Sequence, residues 1–212
     1  MEFIPPEINA YAEAHTTAEP ELLQRINRET HLEVLYPRML SGHLQGRLLA
    51  MLARMIKPAY IVEVGTYTGY SALCLAEGLR PAGKLITIEK NPELEKRIRN
   101  YLKASTPGKQ IELRIGDAQE IIPTLPDGID LAFIDADKVS YLKYYELLLD
   151  KLQPGGYLLA DNVLWSGKVT DENARDVDTV ALQKFNNFVQ ADERVENVLL
   201  PVRDGLMMIR KR

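Results

Sequence analysis

One cysteine, three separated histidines and one tryptophan are all that this 212-residue chain holds of the residue types that most often build disulfides, zinc sites and aromatic docking surfaces. Cys74 has no partner for an internal disulfide, and no Cys/His cluster has zinc spacing, so a reducing compartment, the cytoplasm, is expected. No apolar run approaches the roughly 18–20 residues that span a bilayer. The start, Met-Glu-Phe-Ile-Pro-Pro-Glu, lacks the basic, apolar and small-residue regions of an export signal. A soluble protein without membrane attachment is therefore expected. An excess of positive charge is missing too: 26 Lys and Arg stand against 30 Asp and Glu, which argues against whole-surface attraction to nucleic acid or anionic lipid. A local basic patch from Arg54, Lys57 and Lys168 stays open. What is present, 46% hydrophobic and 26% charged residues, is the make-up of one domain with a sizeable core, and it excludes disorder and collagen-like repetition.

Residues 1–57 carry helical patterns only, around Ile8–Ala14, from Pro20 to about Val34, and from about His43 to Ile56. In the third, Leu44, Leu48, Met51, Leu52 and Met55 recur at helical spacing and predict one apolar face. From residue 58 onward the texture changes to short apolar, β-branched runs alternating with helices: Tyr60–Val64, Leu85–Glu89, Ile111–Ile115, Leu131–Ile134 and Tyr157–Ala160. Such runs suit parallel strands covered on both faces. Asn91-Pro92-Glu93 supplies a cap, a first-turn proline and an acid for a helix start. Two final β runs, Arg194–Pro201 and Leu206–Arg210, flank Val202-Arg203-Asp204-Gly205, which predicts a closing antiparallel hairpin. The expectation is a single α/β domain: a helical extension, then a seven-stranded, mostly parallel sheet with helices on both faces.

The first strand runs into Glu63-Val64-Gly65-Thr66-Tyr67-Thr68-Gly69-Tyr70-Ser71. Glycines at a strand-to-helix turn let backbone approach a ligand, and the helix start offers unpaired N–H groups. The spacing is G-x-x-x-G, not the G-x-G-x-x-G that seats a dinucleotide pyrophosphate, which disfavours NAD and FAD. Glu63, an acid ending an apolar strand, suits an amine-bearing ligand such as the methionine part of S-adenosylmethionine. Glu89 ends the second strand about 20 residues past the last glycine, where an acid reaches ribose hydroxyls. The third strand ends in Gly116-Asp117-Ala118, and Asp117 suits an adenine amino group or a helix cap, the two being compatible.

A second acidic group follows. The fourth strand ends in Asp135-Ala136-Asp137-Lys138 and the fifth in Asp161-Asn162. Asp135, Asp161 and Asn162 present hard oxygens at neighbouring strand ends, a donor set for Mg²⁺, with Ca²⁺ or Mn²⁺ as other occupants, rather than zinc. Caps and turns explain each residue singly, but unneutralised carboxylates at adjacent strand ends would repel. Cys74, among apolar neighbours, reads as a small core residue. His15, His31 and His43 are too scattered to hold a metal, although His43 lies near Ser41. Tyr141, Tyr144 and Tyr145 follow helical spacing and read as core or rim, with Tyr144 within reach of the cofactor crevice. Trp165 is either a wall of the acceptor site or ordinary packing.

Together these residues resemble the cation-dependent class I S-adenosylmethionine O-methyltransferases, the group containing catechol O-methyltransferase and caffeoyl-CoA O-methyltransferase. The resemblance covers nearly the whole chain. It rests on Met39 with Gly42 and Gln45-Gly46, on Glu63 to Ser71, on Asp135-Ala-Asp-Lys138, on Asp161-Asn-Val-Leu-Trp165 and on Arg203-Asp-Gly205. It implies a Rossmann-like fold and a metal held by Asp135, Asp161 and Asn162. Met39, Ser41, Glu63, Gly65, Tyr67, Ser71, Glu89, Asp117 and Ala118 would line the cofactor site, with Asp135 touching both and Tyr144 at its margin. Lys138 matches the proposed general base, and Asp135 stands beside it as catalytic.

The resemblance further implies methyl transfer to a small phenolic acceptor that presents two adjacent oxygens, and commonly a homodimer, for which the apolar faces of the front helices could serve. The Asp-Ala-Asp-Lys run is closer to the caffeoyl-CoA and bacterial branch than to the animal catechol enzymes. Hydroxyuridine in transfer RNA is the alternative acceptor within the group. A dehydrogenase of the same broad fold and a non-catalytic cofactor-binding module are the rivals outside it.

Overall fold

In the computed structural model, which describes residues 4–212, the chain divides into two compact units, Glu7–Asp117 and Ala118–Arg212, the latter with residues 4–6. The seven strands form one mixed sheet, ordered β3-β2-β1 in the first unit and β4-β5-β7-β6 in the second. Among the described residues no helix is long and apolar enough to cross a membrane.

The first unit opens with helices α1 (Pro6–Ala14), α2 (Glu21–Glu33) and α3 (Gly42–Ile56). Strands β1 (Tyr60–Val64), β2 (Lys84–Glu89) and β3 (Ile111–Ile115) then pair in parallel, with α4 (Tyr70–Ala76) and α5 (Glu95–Lys103) between them. Every residue of β1 is buried, as the unbroken apolar run requires of a strand covered on both faces. Asn91 caps as expected, its side-chain oxygen accepting from the Glu93 amide at 3.0 Å, but it opens a 3₁₀ turn, Pro92–Leu94, that leads into α5.

The apolar face expected of α3 is not the face that packs within the unit. Met51 and Met55 are 56% and 73% exposed, whereas Gln45, Gly46, Leu49, Ala50 and Ala53 are buried. The reason is close packing of small residues against α4. A side-chain carbon on Gly46 would lie 2.6 Å from the Tyr70 ring, and one on Gly78 would lie 2.2 Å from the Ala53 carbonyl carbon. Hydrophobic periodicity weights large side chains, while the contact here selects residues small enough to let backbones meet. We expect Gly78→Ala to lower unfolding free energy by about 2–3 kcal/mol, since the methyl group meets backbone that cannot rotate away. Urea denaturation checks this, and a midpoint equal to that of the unsubstituted chain would show that the helices separate without strain.

The second unit contains α6 (Ala118–Ile121), β4 (Ile129–Ile134), α7 (Tyr141–Lys151), β5 (Leu152–Asp161), α8 (Val177–Ala191), β6 (Val195–Leu200) and β7 (Leu206–Lys211). Strands β4 and β5 are parallel, and β7 lies antiparallel to both β5 and β6. β5 begins five residues ahead of the predicted run because Leu152 pairs with Ile129 before the register shifts, and Tyr157 then pairs with Leu131. Gln153-Pro154-Gly155-Gly156, which looks like a plain turn, is absorbed as an irregularity in the strand, with Gly155 at a φ of 79°. The closing hairpin is present. Its loop, Pro201–Gly205, is wider than a two-residue Asp-Gly turn and takes Arg203 and Gly205 to positive φ.

Candidate active site

The acids predicted to contact the cofactor all fall at the carboxyl ends of β1, β2 and β3. Register fixes this: Val64 pairs with Ile88, and Glu89 pairs with Ile115, one residue before Gly116-Asp117. Between β1 and α4 the chain turns through Gly65 (φ 98°), Tyr67 (φ 50°) and Gly69 (φ 85°). The Gly65 and Thr66 amides donate to the Ile88 carbonyl at 3.0 and 3.3 Å, so β2 anchors the start of the turn.

Glu89 is the most completely positioned of these acids. One carboxylate oxygen accepts from the Tyr67 amide at 2.7 Å and the other from the Asn91 amide at 2.8 Å. Two backbone donors fix the carboxylate in place, and each oxygen keeps a further lone pair for a ligand hydroxyl. Glu63 is fully buried and accepts from the hydroxyl of Thr87, its register partner on β2, which is also in contact with the Thr66 hydroxyl. Asp117 accepts from the Lys90 ammonium at 3.2 Å. Ser71 and Ser41 are each 6% exposed, at the starts of α4 and α3, while Met39 is 57% exposed on the 3₁₀ turn Pro37–Met39. The Tyr67 hydroxyl donates to the Leu35 carbonyl at 3.0 Å, tying the segment that carries Met39 and Ser41 to the glycine turn.

The second cluster belongs wholly to the other unit. Ile134 pairs with Ala160, so Asp135 and Asp161 leave β4 and β5 abreast. Asp161 is buried, and Asn162 follows it with a left-handed backbone, φ 58°. The Lys138 side chain, 8% exposed, donates to Asn162 Oδ1 at 2.9 Å, to Asp135 Oδ1 at 3.4 Å and to the Tyr141 hydroxyl at 2.7 Å. The Tyr141 hydroxyl in turn donates to the Asp161 carbonyl at 2.8 Å. Burial raises the Tyr141 phenol well above its ordinary pKa, and the carboxylates of Asp135, Asp161 and Asp137 push it the same way. Asp135 and Asn162 therefore aim oxygens at one positive charge, and the Asp161 carboxylate acts on the same phenol. Among the described residues no three His, Cys, Asp or Glu side chains are grouped to hold a metal, so a divalent ion here would need the Asn162 amide oxygen as third donor. Hard oxygens of this kind fit Mg²⁺ and do not fit zinc.

Comparison with known proteins places the chain. The O-methyltransferase family profile matches residues 13–212. This chain belongs to that O-methyltransferase family. Catechol O-methyltransferase domain-containing protein 1 of Mus musculus is 38% identical over 169 residues, 77% of this chain and 64% of the mouse protein. The chain thus spans a little under two thirds of that relative's length. Catechol O-methyltransferase of Niastella koreensis is 34% identical over 160 residues, 74% of this chain and 72% of that one. The solved structure of a SAH-bound methyltransferase from Podospora anserina superimposes with a TM-score of 0.89 at 31% identity, covering 97% of this chain and 94% of that one.

Three residues of this O-methyltransferase escaped the sequence reading as parts of the site. Tyr141 was assigned to core or rim, yet it links Lys138 to Asp161; its i+3 spacing from Lys138 on a helix start was the available signal. Asp137 accepts from the Tyr144 hydroxyl at 2.7 Å, which engages the phenol of the tyrosine placed at the cofactor margin. Asp204 was read as a hairpin residue and as part of the Arg203-Asp-Gly205 motif, with no role in the site. Its carboxylate accepts from the Ser166 amide at 2.5 Å and its carbonyl from the Leu164 amide at 2.9 Å, so it pins the segment after Asn162. That segment carries Trp165, whose ring centre lies 5.7 Å from Lys138 Nζ, a position facing the cluster rather than plain packing.

The remaining candidates keep their bland roles. His15 and His31 bond to backbone carbonyls of their own helices, and His43 to the Thr17 carbonyl at 2.7 Å. Cys74 is fully buried, and burial pushes its thiol up to about 12. A disulfide-exchange reagent at pH 8 should therefore modify Cys74 only after denaturation; labelling of the native protein at the rate of a free thiol would contradict the buried placement.

Proposed function

We propose that the protein transfers the methyl group of S-adenosylmethionine to one hydroxyl of a catechol-like acceptor in the presence of Mg²⁺. The observation that carries this reading is the pair of oxygens, Asp135 Oδ1 and Asn162 Oδ1, sharing one cation beside the buried Asp161. Relatives named as catechol methyltransferases, and a similar structure holding the demethylated cofactor, support the donor and the acceptor class.

In this reading Glu89 receives the ribose hydroxyls, Glu63 faces the amine of the methionine portion, and Asp117 with Ala118 receives the adenine. Gly65 and Tyr67 bring backbone close to the ligand, Met39, Ser41 and Ser71 complete the contacts, and Tyr144 holds Asp137. Asp135, Asp161 and Asn162 would hold the divalent ion. When bound, the two groups supply an electrophilic methyl and a charge that favours the ionised acceptor hydroxyl. Positioning of the acceptor oxygen in line with the breaking carbon–sulfur bond provides several kcal/mol. Lys138 Nζ is the group at hand to take the hydroxyl proton; it can do so only as the neutral amine, so it must first give up a proton to solvent together with its bonds to Asp135 and Asn162. Trp165 forms an apolar wall that limits water at the charges being neutralised.

The test is transfer of isotopically labelled methyl to catechols, acyl-CoA phenols and transfer RNA, with Mg²⁺ and after chelation. Labelled catechol or acyl-CoA phenol only with the ion present is the expected result. Label on transfer RNA alone would move the acceptor assignment, and full turnover after thorough chelation would remove the ion from the mechanism.

A further inference from the structure

We propose that the Lys138 ammonium is a built-in counter-cation of the acidic cluster and competes with the divalent ion for Asp135 and Asn162. The inference rests on the metal reading above and concerns what this chain does when the ion is not bound. Two carboxylates, Asp135 and Asp161, leave adjacent parallel strands side by side, and Asp161 is 2% exposed. Carboxylates so placed repel unless a positive charge lies among them. The chain supplies one. Lys138 stands three residues beyond Asp135, and its Nζ reaches Asn162 Oδ1 at 2.9 Å and Asp135 Oδ1 at 3.4 Å.

These are the same two oxygens that the donor chemistry assigns to the ion. Mg²⁺ binds oxygen at about 2.1 Å and would stand beside the ammonium if both used them, two positive charges at near-contact distance. One must leave. The surroundings make Lys138 the one that can move without being stranded. Its third bond goes to the Tyr141 hydroxyl at 2.7 Å, whose proton is already committed to the Asp161 carbonyl, so the lone pair stays directed at Nζ. The ring faces of Tyr141 and Trp165 lie 4.7 and 5.7 Å from Nζ, which offers the displaced ammonium favourable cation–π contact. The ammonium thereby offsets one of the two negative charges, and part of the cost of holding two acids together is met before the ion arrives. The same displacement frees Nζ from its carboxylate and amide partners.

The experiment is equilibrium binding of Mn²⁺ alone, followed by electron paramagnetic resonance, to the full chain and to Lys138→Met, Lys138→Gln and Lys138→Arg, each checked by circular dichroism and thermal melting. We expect the Met and Gln variants to bind Mn²⁺ at least about tenfold more tightly, as removal of a competing unit charge predicts, with Arg close to the unsubstituted protein. Equal or weaker binding in folded Met and Gln variants would overturn the competition while leaving the metal reading in place. No Mn²⁺ binding by the unsubstituted protein, with no change in Asp161→Ala, would overturn the metal reading and this inference together. A measurement needing no Lys138 variant is the rate at which acetic anhydride modifies Lys138 in the unsubstituted chain, read by peptide mass spectrometry. It should rise when Mn²⁺ is added, and a rate that stays constant or falls counts against displacement.

Discussion

Asp161→Ala is expected to reduce methyl transfer by at least about a thousandfold while leaving the protein folded and able to bind S-adenosylhomocysteine, because removing a group that orients and stabilises reacting charge costs several kcal/mol. The fold should survive because what Asp161 contributes to the sheet is backbone: the residue pairs with Leu206 across β5 and β7, and its carbonyl accepts from Tyr141 whatever the side chain. Removing a carboxylate from beside Asp135 also relieves like-charge repulsion, so the thermal midpoint should change little. Three readouts separate the possibilities: turnover with saturating Mg²⁺, melting temperature, and calorimetric affinity for S-adenosylhomocysteine. An active Asp161→Ala enzyme would reject the assignment of this side chain. An inactive variant that has also lost the nucleoside ligand would point to a wider collapse.

The second large effect concerns the glycine-turn unit. Glu89→Ala should weaken binding of S-adenosylhomocysteine by about a hundredfold, the equivalent of two charge-assisted hydrogen bonds at roughly 1.5 kcal/mol each. The loss has two parts. In the proposed reading the ribose hydroxyls lose their acceptors, and the Tyr67 and Asn91 amides lose the carboxylate that holds them at 2.7 and 2.8 Å. Tyr67 sits at a φ of 50°, a conformation a tyrosine adopts at a cost, and Glu89 is the partner that fixes its amide. Isothermal calorimetry gives the affinity directly. A dissociation constant within about threefold of the unsubstituted protein, less than 1 kcal/mol, would assign Glu89 to shaping the turn alone. Turnover of Glu89→Ala at very high cofactor concentration should largely recover, since the proposed reading gives the residue a cofactor-binding role away from the acceptor; Asp161→Ala should not recover.

Both predictions concern residues that stand out as site candidates before any coordinates, and the reason is strand geometry. In a parallel strand covered on both faces nearly every position is apolar, so an acid at the carboxyl end stands out against its run. Glu63, Glu89, Asp135 and Asp161 each do so, and the observed registers align them at strand ends as that reasoning requires. The side chains that organise those acids were not visible in the same way. Tyr141, Thr87 and Asp204 act through hydrogen bonds to groups 20 to 38 residues away, and no local pattern encodes a bond across that separation. Thr87 is an ordinary β-branched strand residue by composition, and only its register opposite Glu63 gives it a carboxylate to bond.

Helix α3 shows the same division from the packing side. Its period of 3.6 is plain in the chain, yet Met51 and Met55 face outward while Gly46, Ala50 and Ala53 make the contact. Sequence alone determined the alternation of strands and helices, the glycine turn, the acids at the strand ends and the family, because each depends on local periodicity or on residues close together along the chain. Tertiary structure decided which face of α3 is buried, how Glu89 is locked by two amides, and that Lys138 rests on Asp135 and Asn162 through a bond network centred on Tyr141. Those outcomes depend on close backbone approach and on register between segments distant in the chain, and both are fixed only when the strands pair and the helices pack.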